Sequence, residues 1–111
     1  MADDLSQEIE ELQLLEQNIQ SLLMQKQSSQ IELNEIVNAL EELSTSDDEV
    51  YKILSGIMVK TKKVTVQEDL NEKRKVLDIR IGSIDKQEAE ISNRIESLRE
   101  QISKGMNKTN K

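Results

Sequence analysis

The chain has 111 residues, of which a third are charged, with one aromatic (Tyr51), no proline, no cysteine, no histidine and a net charge of −7. Such a composition cannot fill a compact globular core, which draws much of its burial from aromatic side chains, and it suits long helices packed along narrow seams. It also excludes disulfide and thiolate chemistry, the commonest general base and the commonest zinc ligand.

The expected fold is mainly α, an antiparallel two-helix coiled coil with one central β-hairpin, organised as a single domain over 1–111. In chain order the elements are helix 1 over 1–45, a linker and hairpin over 46–64, helix 2 over 65–104, and a tail over 105–111. In the first segment a 3-4 spacing runs through Leu5, Glu8, Leu12, Leu15, Ile19, Leu22, Lys26, Ser29, Leu33, Ile36, Leu40 and Leu43. Nine of these twelve are apolar, and Ile9, Leu23 and Val37 widen the stripe, which is a coiled-coil heptad pattern. The segment ends in the polar run STSDDE.

Next comes VYKILSGIMVKT, residues 50–61, which reads as two strands about a Ser-Gly turn. Val50 and Leu54 alternate with Tyr51 and Ile53, and Ile57 and Val59 alternate with Met58 and Lys60, so both faces are largely apolar. An isolated hairpin is marginal in water and its open edges invite pairing. A mere connector has no need of two apolar faces. The hairpin is therefore expected to be the assembly module, through Val50, Tyr51, Ile53, Leu54, Ile57, Met58 and Val59. Lys60, Lys62 and Lys63 are expected to limit uncontrolled edge growth.

TVQE then matches a capping box, with Thr65 capping the second helix and Glu68 reaching back. Leu70, Arg74, Leu77, Ile81, Ile84, Glu88, Ile91, Ile95, Leu98 and Ile102 continue a 4-3 spacing, eight of ten apolar. Gly105 is expected to stop the helix. Gly82 sits mid-helix, off the seam, and has no role in the pattern.

Charge supports folding one segment back on the other. Residues 1–49 hold thirteen acids against one base, and residues 50–111 hold nine acids against fourteen bases. A parallel pairing of first segments stacks like charges, whereas an antiparallel hairpin sets acid against base. Two registers keep the seams matched. One pairs Leu12 with Leu98 and Lys26 with Ile84; the other slips by a heptad, pairing Leu33 with Ile84 and Ser29 with Glu88. A buried lysine needs an opposite charge, so the second is the expected register. It leaves Leu5, Ile9 and Leu12 short of partners at the free end.

Other chemistries have weaker support. KTKK and EKRK read as solvated helix faces that balance the acidic segment, not as nucleic-acid patches. A basic helical arm for RNA needs a basic tip, but Asp3 and Asp4 open the chain, although Lys104, Lys108 and Lys111 make the other end basic. Glu10-Glu11 and Asp47-Asp48 lack the loop geometry of a cation site. No metal, cofactor, catalytic residue or membrane segment is expected, and the chain reads as a non-catalytic cytoplasmic protein.

QKQSSQIELNEIVNALEEL, then DDEVYKILSGIMVKTKK, then LNEKRKVLDIRIGSIDKQEAEI resembles the beta subunit of archaeal prefoldins over roughly residues 17–103. The central part is the most specific: Val50-Tyr51-Lys52, a turn glycine, and Val59-Lys60-Thr61 between two equal coils. The chain departs from the family in having no proline in STSDD and Ser55 where members carry glycine, with Gly56 beside it. The resemblance implies a hetero-hexamer of two alpha-type and four beta-type subunits. Its hairpins form a β-barrel platform and its coils hang from it. It implies an ATP-independent chaperone that holds non-native proteins at the coil tips and transfers them to a group II chaperonin. Leu5, Ile9, Leu12, Leu98, Ile102 and Met106 are then the candidate client contacts. The rival reading is a structural coiled-coil scaffold without client binding.

Overall fold

A computed structural model describes residues 2–109. Side chains are described for 5–107, so those of Asp3, Asp4, Lys108 and Lys111, which give the termini their opposite signs in sequence, lie outside the described residues. The element order is α1 (Ala2–Ser44), β1 (Glu49–Leu54), β2 (Ile57–Lys62) and α2 (Lys63–Thr109). The chain forms two compact units. A central unit, Ser28–Ile81, holds the hairpin, and a terminal unit joins Met1–Gln27 to Gly82–Lys111.

The heptads fix what is buried. Among the described residues the buried apolar side chains are Leu22, Ile36, Leu77, Ile84, Ile95 and Leu98, all of them seam positions. Ser29, the buried polar residue, is a seam position too. All twelve positions of the first stripe are shielded at least in part, whereas Ile9, Leu23 and Val37 remain exposed flanks. In the second stripe Arg74 departs from the pattern. It is exposed, as suits a guanidinium, whose charge is costly to strip of water.

In the central unit the strands pair antiparallel from Glu49↔Lys62 to Leu54↔Ile57, leaving Ser55 and Gly56 as a two-residue loop. Their φ values of 49° and 79° make it a type I′ turn, whose twist matches that of the strands. Gly56 adopts that φ without cost; Ser55 does not.

The join between hairpin and helices is made differently from the capping box expected at Thr65 and Glu68. Helix α2 begins at Lys63, whose backbone N–H donates to the Asp48 carbonyl at 2.8 Å. Thr65 lies inside the first turn. Lys63 also sends its ammonium to the carbonyls of Ser46 at 3.1 Å and Ser44 at 3.4 Å. The last turn of α1 has no basic residue of its own, so Lys63 supplies the positive charge that helix end favours. It therefore secures the α1 terminus and does not guard a strand edge. Ser46 adds a second cap through its hydroxyl, which donates to the Leu43 carbonyl at 2.9 Å.

At the other end, Gly105 does not stop α2, which runs on to Thr109. The expected tail over 105–111 is thus helical as far as it is described. A Cβ at Gly105 would lie 2.9 Å from Leu5 Cδ1. With no side chain at Gly105, Leu5 packs close against the backbone of α2.

Candidate functional site

The hairpin and the free end of the terminal unit are two places where apolar side chains expected to make contacts meet solvent. On the hairpin, alternation puts Val50, Lys52, Leu54, Ile57, Val59 and Thr61 on one face and Tyr51, Ile53, Met58 and Lys60 on the other. Of the seven residues expected to mediate assembly, six are exposed. Tyr51, Ile53, Ile57 and Met58 each show more than 60% of their area, Leu54 and Val59 somewhat less, and Val50 is half-buried. The Ile53↔Met58 and Leu54↔Ile57 pairs stack apolar side chains directly across the strands. Polar contacts at the sheet are few. Lys60 pairs with Glu49 at 2.9 Å, a diagonal cross-strand ion pair, and Lys52 approaches Asp69 of α2 at 3.9 Å. A solvated hairpin of six residues a side gains little from such contacts. Its apolar area is available for another surface.

The terminal unit departs from its expected register. Lys26 Nζ lies 2.6 Å from Asp85 and 3.9 Å from Glu88, Leu5 packs on Gly105, and Leu12 shares a groove with Arg99 and Ile102. These contacts belong to the pairing of Leu12 with Leu98 and Lys26 with Ile84, not to the slipped one. The objection to that pairing was a buried lysine. The structure removes it sideways: the Lys26 stem lies on the seam, and its ammonium reaches the carboxylate next to Ile84. Hydrogen bonding to Asp85, and then its charge, hold the Lys26 pKa above the ordinary 10.5.

Two further ion pairs fix this register. Arg94 donates from Nε to Glu11 Oε1 at 3.0 Å and from Nη2 to Oε2 at 3.2 Å, a two-pronged contact. It raises the arginine's pKa, first through the hydrogen bond and then through the Glu11 charge. Arg99 donates to Glu16 at 3.1 Å. These positions flank the seam in each heptad, so opposite charges at the flanks were the available sequence signal.

With that register, Leu5 and Leu12 are not left without partners. Leu5 is half-buried on Gly105, and Leu12 is half-buried beside Ile102. Leu98 has no exposed area at all, so it belongs to the seam and not to a contact surface. Ile9 and Met106 are exposed by 40% and 53%. Leu12, Ile102 and Met106 line a shallow groove of about 350 Å³ with Arg99, Ser103 and Asn107. The last three were not among the expected contacts; Arg99 and Ser103 lie within the expected helix beside the seam, and Asn107 enters because the helix extends past residue 104. Among the described residues no group of three or more His, Cys, Asp or Glu is placed to hold a metal ion, and no helix is long and apolar enough to cross a membrane.

A family model described as prefoldin subunit matches residues 6–109. The chain belongs to the prefoldin subunit family. It is 34% identical to the prefoldin subunit beta of Pyrococcus horikoshii, over 83% of this chain and 80% of that one. It is 32% identical to the prefoldin subunit beta of Saccharolobus islandicus, over 97% and 90%. The crystal structure of the prefoldin beta subunit from Thermococcus strain KS-1 superposes with a TM-score of 0.84 at 30% identity, covering 92% of this chain and 91% of that one. The beta2 subunit of the same strain shares the fold, with a TM-score of 0.71 at 22% identity over 81% and 98%. Prefoldin subunits are chaperone components, and membership implies assembly with other prefoldin subunits.

Proposed function

We propose that the chain is the beta-type subunit of an ATP-independent chaperone, four copies joining two alpha-type prefoldin subunits. The hairpins close together into a β-barrel platform. The free ends of the coils capture non-native proteins and pass them to a group II chaperonin in the cytoplasm. The observation that carries the assembly half of this reading is the hairpin, apolar on both faces and exposed at six of seven positions. Burying that area between subunits resolves an arrangement that water disfavours.

Client capture is supported by the shallow groove at the free end and the exposed side chains beside it. Ile9 and Met106 present apolar area directly, while Leu5, Leu12 and Ile102 supply a half-buried floor. Leu98 is left out of the contact set, being fully packed. Met106 is unbranched and polarisable, able to adapt to unlike partners. One such patch is small, so retention depends on several coils engaging one client at once.

The test is light scattering of an aggregating, chemically unfolded protein, without ATP, in the presence of the assembled complex. Ile9→Asp with Met106→Asp is expected to abolish suppression while the native mass stays unchanged. Undiminished suppression by that variant sinks the assignment of the free end. The Leu5→Asp change is less informative, since Leu5 also packs on Gly105.

A further inference from the structure

In the central unit the hairpin is joined to the helices with little packing between them. Ten of the twelve strand residues are exposed; only Val50 and Thr61, which pair near the root of the hairpin, are half-buried. Strand β2 passes into α2 with no residue between Lys62 and Lys63, so the chain can swivel there about the two soft dihedrals of a residue. On the other side, residues 45–48 form a polar linker. Burial therefore does little to set the pose of the hairpin, and polar ties must do it. One residue makes most of them. The strand ladder ends at Glu49↔Lys62, and the bond from the Lys63 N–H to the Asp48 carbonyl carries it half a rung further. The same residue opens α2, and its half-buried side chain reaches back over the end of α1 to the Ser44 and Ser46 carbonyls. Lys63 is thus bonded to the ladder, to α2 and to the end of α1 at once. The other tie, Lys52 to Asp69, spans 3.9 Å between two exposed groups and holds weakly.

We infer that Lys63 is a positioning residue, a clip that locks the hairpin in one pose on the helices of the central unit. This is more than capping α1. A cap needs the ammonium alone, whereas the clip needs the ammonium and the backbone bond on one residue, so that the α1 end and the ladder cannot move apart. Its consequence rests on the proposed platform, where the pose sets the direction in which the helices leave the barrel. Several coils engage one client at once only if their directions agree.

The chain has no cysteine, so spin labels at Ile57→Cys on the hairpin and Asp78→Cys on α2, both exposed, read one distance within the full chain. Pulsed electron resonance should give a narrow distance distribution for the otherwise native chain and a clearly broadened one with Lys63→Met. Lys63→Arg should narrow it again, because a guanidinium can donate to both carbonyls. Methionine keeps the stem and the helix propensity, so the helical circular-dichroism signal should stay put. Loss of the cap by itself should speed amide exchange in the last turn of α1 about two- to five-fold, the span of a helix-end charge. Faster exchange with an unbroadened distance distribution makes Lys63 a cap only and refutes the clip. In unlabelled complexes assembled with the partner subunit, Lys63→Met should leave the native mass unchanged and weaken suppression of aggregation. Full suppression there refutes the aiming of the coils. If no assembly forms even with wild-type chains, the platform fails, whereas the distance measured on the single chain still decides the clip.

Discussion

Replacing Ile53 and Met58 together by aspartate separates the fold of the single chain from its assembly. These side chains face each other across the hairpin and expose 70% and 65% of their area. Burying an isoleucine or methionine fully is worth about 1.5–3 kcal/mol, so roughly two-thirds of that, about 1–2 kcal/mol each, is still to be gained when a partner covers them. The double change forfeits about 2–4 kcal/mol for every hairpin contact it touches, before any cost of burying carboxylates. Association should weaken by at least about 30-fold, and up to about 1,000-fold. The helices should notice little, because exposed substitutions away from the seam usually cost within about 0.5 kcal/mol. Sedimentation or native mass should report loss of the complex, while the helical circular-dichroism signal and its melting midpoint measured on the single chain stay put. A variant that assembles normally refutes the argument that these faces are interface. A variant whose isolated helices melt early refutes the claim that these exposed side chains lie outside the seam.

Three further outcomes are expected. Leu98→Ala, at the most fully buried side chain, should destabilise the terminal unit by about 3 kcal/mol, read as faster amide exchange there. Lys26 has its folded pKa raised above 10.5, so its contribution is complete below that pH and is lost as pH rises through the folded value. Melts repeated from about pH 9 to 12 should therefore fall more steeply for the native chain than for Lys26→Met; parallel curves would refute the sideways ion pair. Gly82→Ala meets no atom within 4 Å and should stabilise α2 by about 1 kcal/mol, seen as a higher melting midpoint.

Most of the fold was legible because a heptad seam is written locally. Every buried apolar residue found among the described residues falls on the expected stripe. The hairpin was legible for a similar reason, as strand alternation about Ser55-Gly56 is a short-range signal. What failed were inferences that depend on where side-chain ends go. Lys26 was treated as a charge fixed in the seam, but four methylenes let its ammonium reach Asp85 beside the seam, and the register changed with it. Gly105 and TVQE were read from propensity alone. In the structure α2 runs on past the first, and it begins before the second, at Lys63, whose backbone N–H bonds to the Asp48 carbonyl. At the candidate site, Ile9 and Met106 were visible as apolar residues near the ends. Leu98 was legible as a seam position in either register, facing Leu12 in one and Ile19 in the other, and its full burial follows from that place.

The opposite treatment of similar residues is what ties this chain's structure to chaperone work. A two-helix seam is thin, and it offers few fully buried positions per turn. Even so, aliphatic residues are kept out of it at Ile53, Ile57 and Met58 and at Ile9 and Met106. The first group is preorganised: strand pairing fixes its register, so a partner's strands can be met without further ordering cost. The second lies on two helix ends held by the Glu11–Arg94 and Glu16–Arg99 pairs, with an adaptable methionine at its edge. A rigid, edge-forming apolar surface suits a permanent partner, and a small, adaptable one suits many transient partners. The two apolar surfaces thus differ less in hydrophobicity than in how firmly their apolar groups are held.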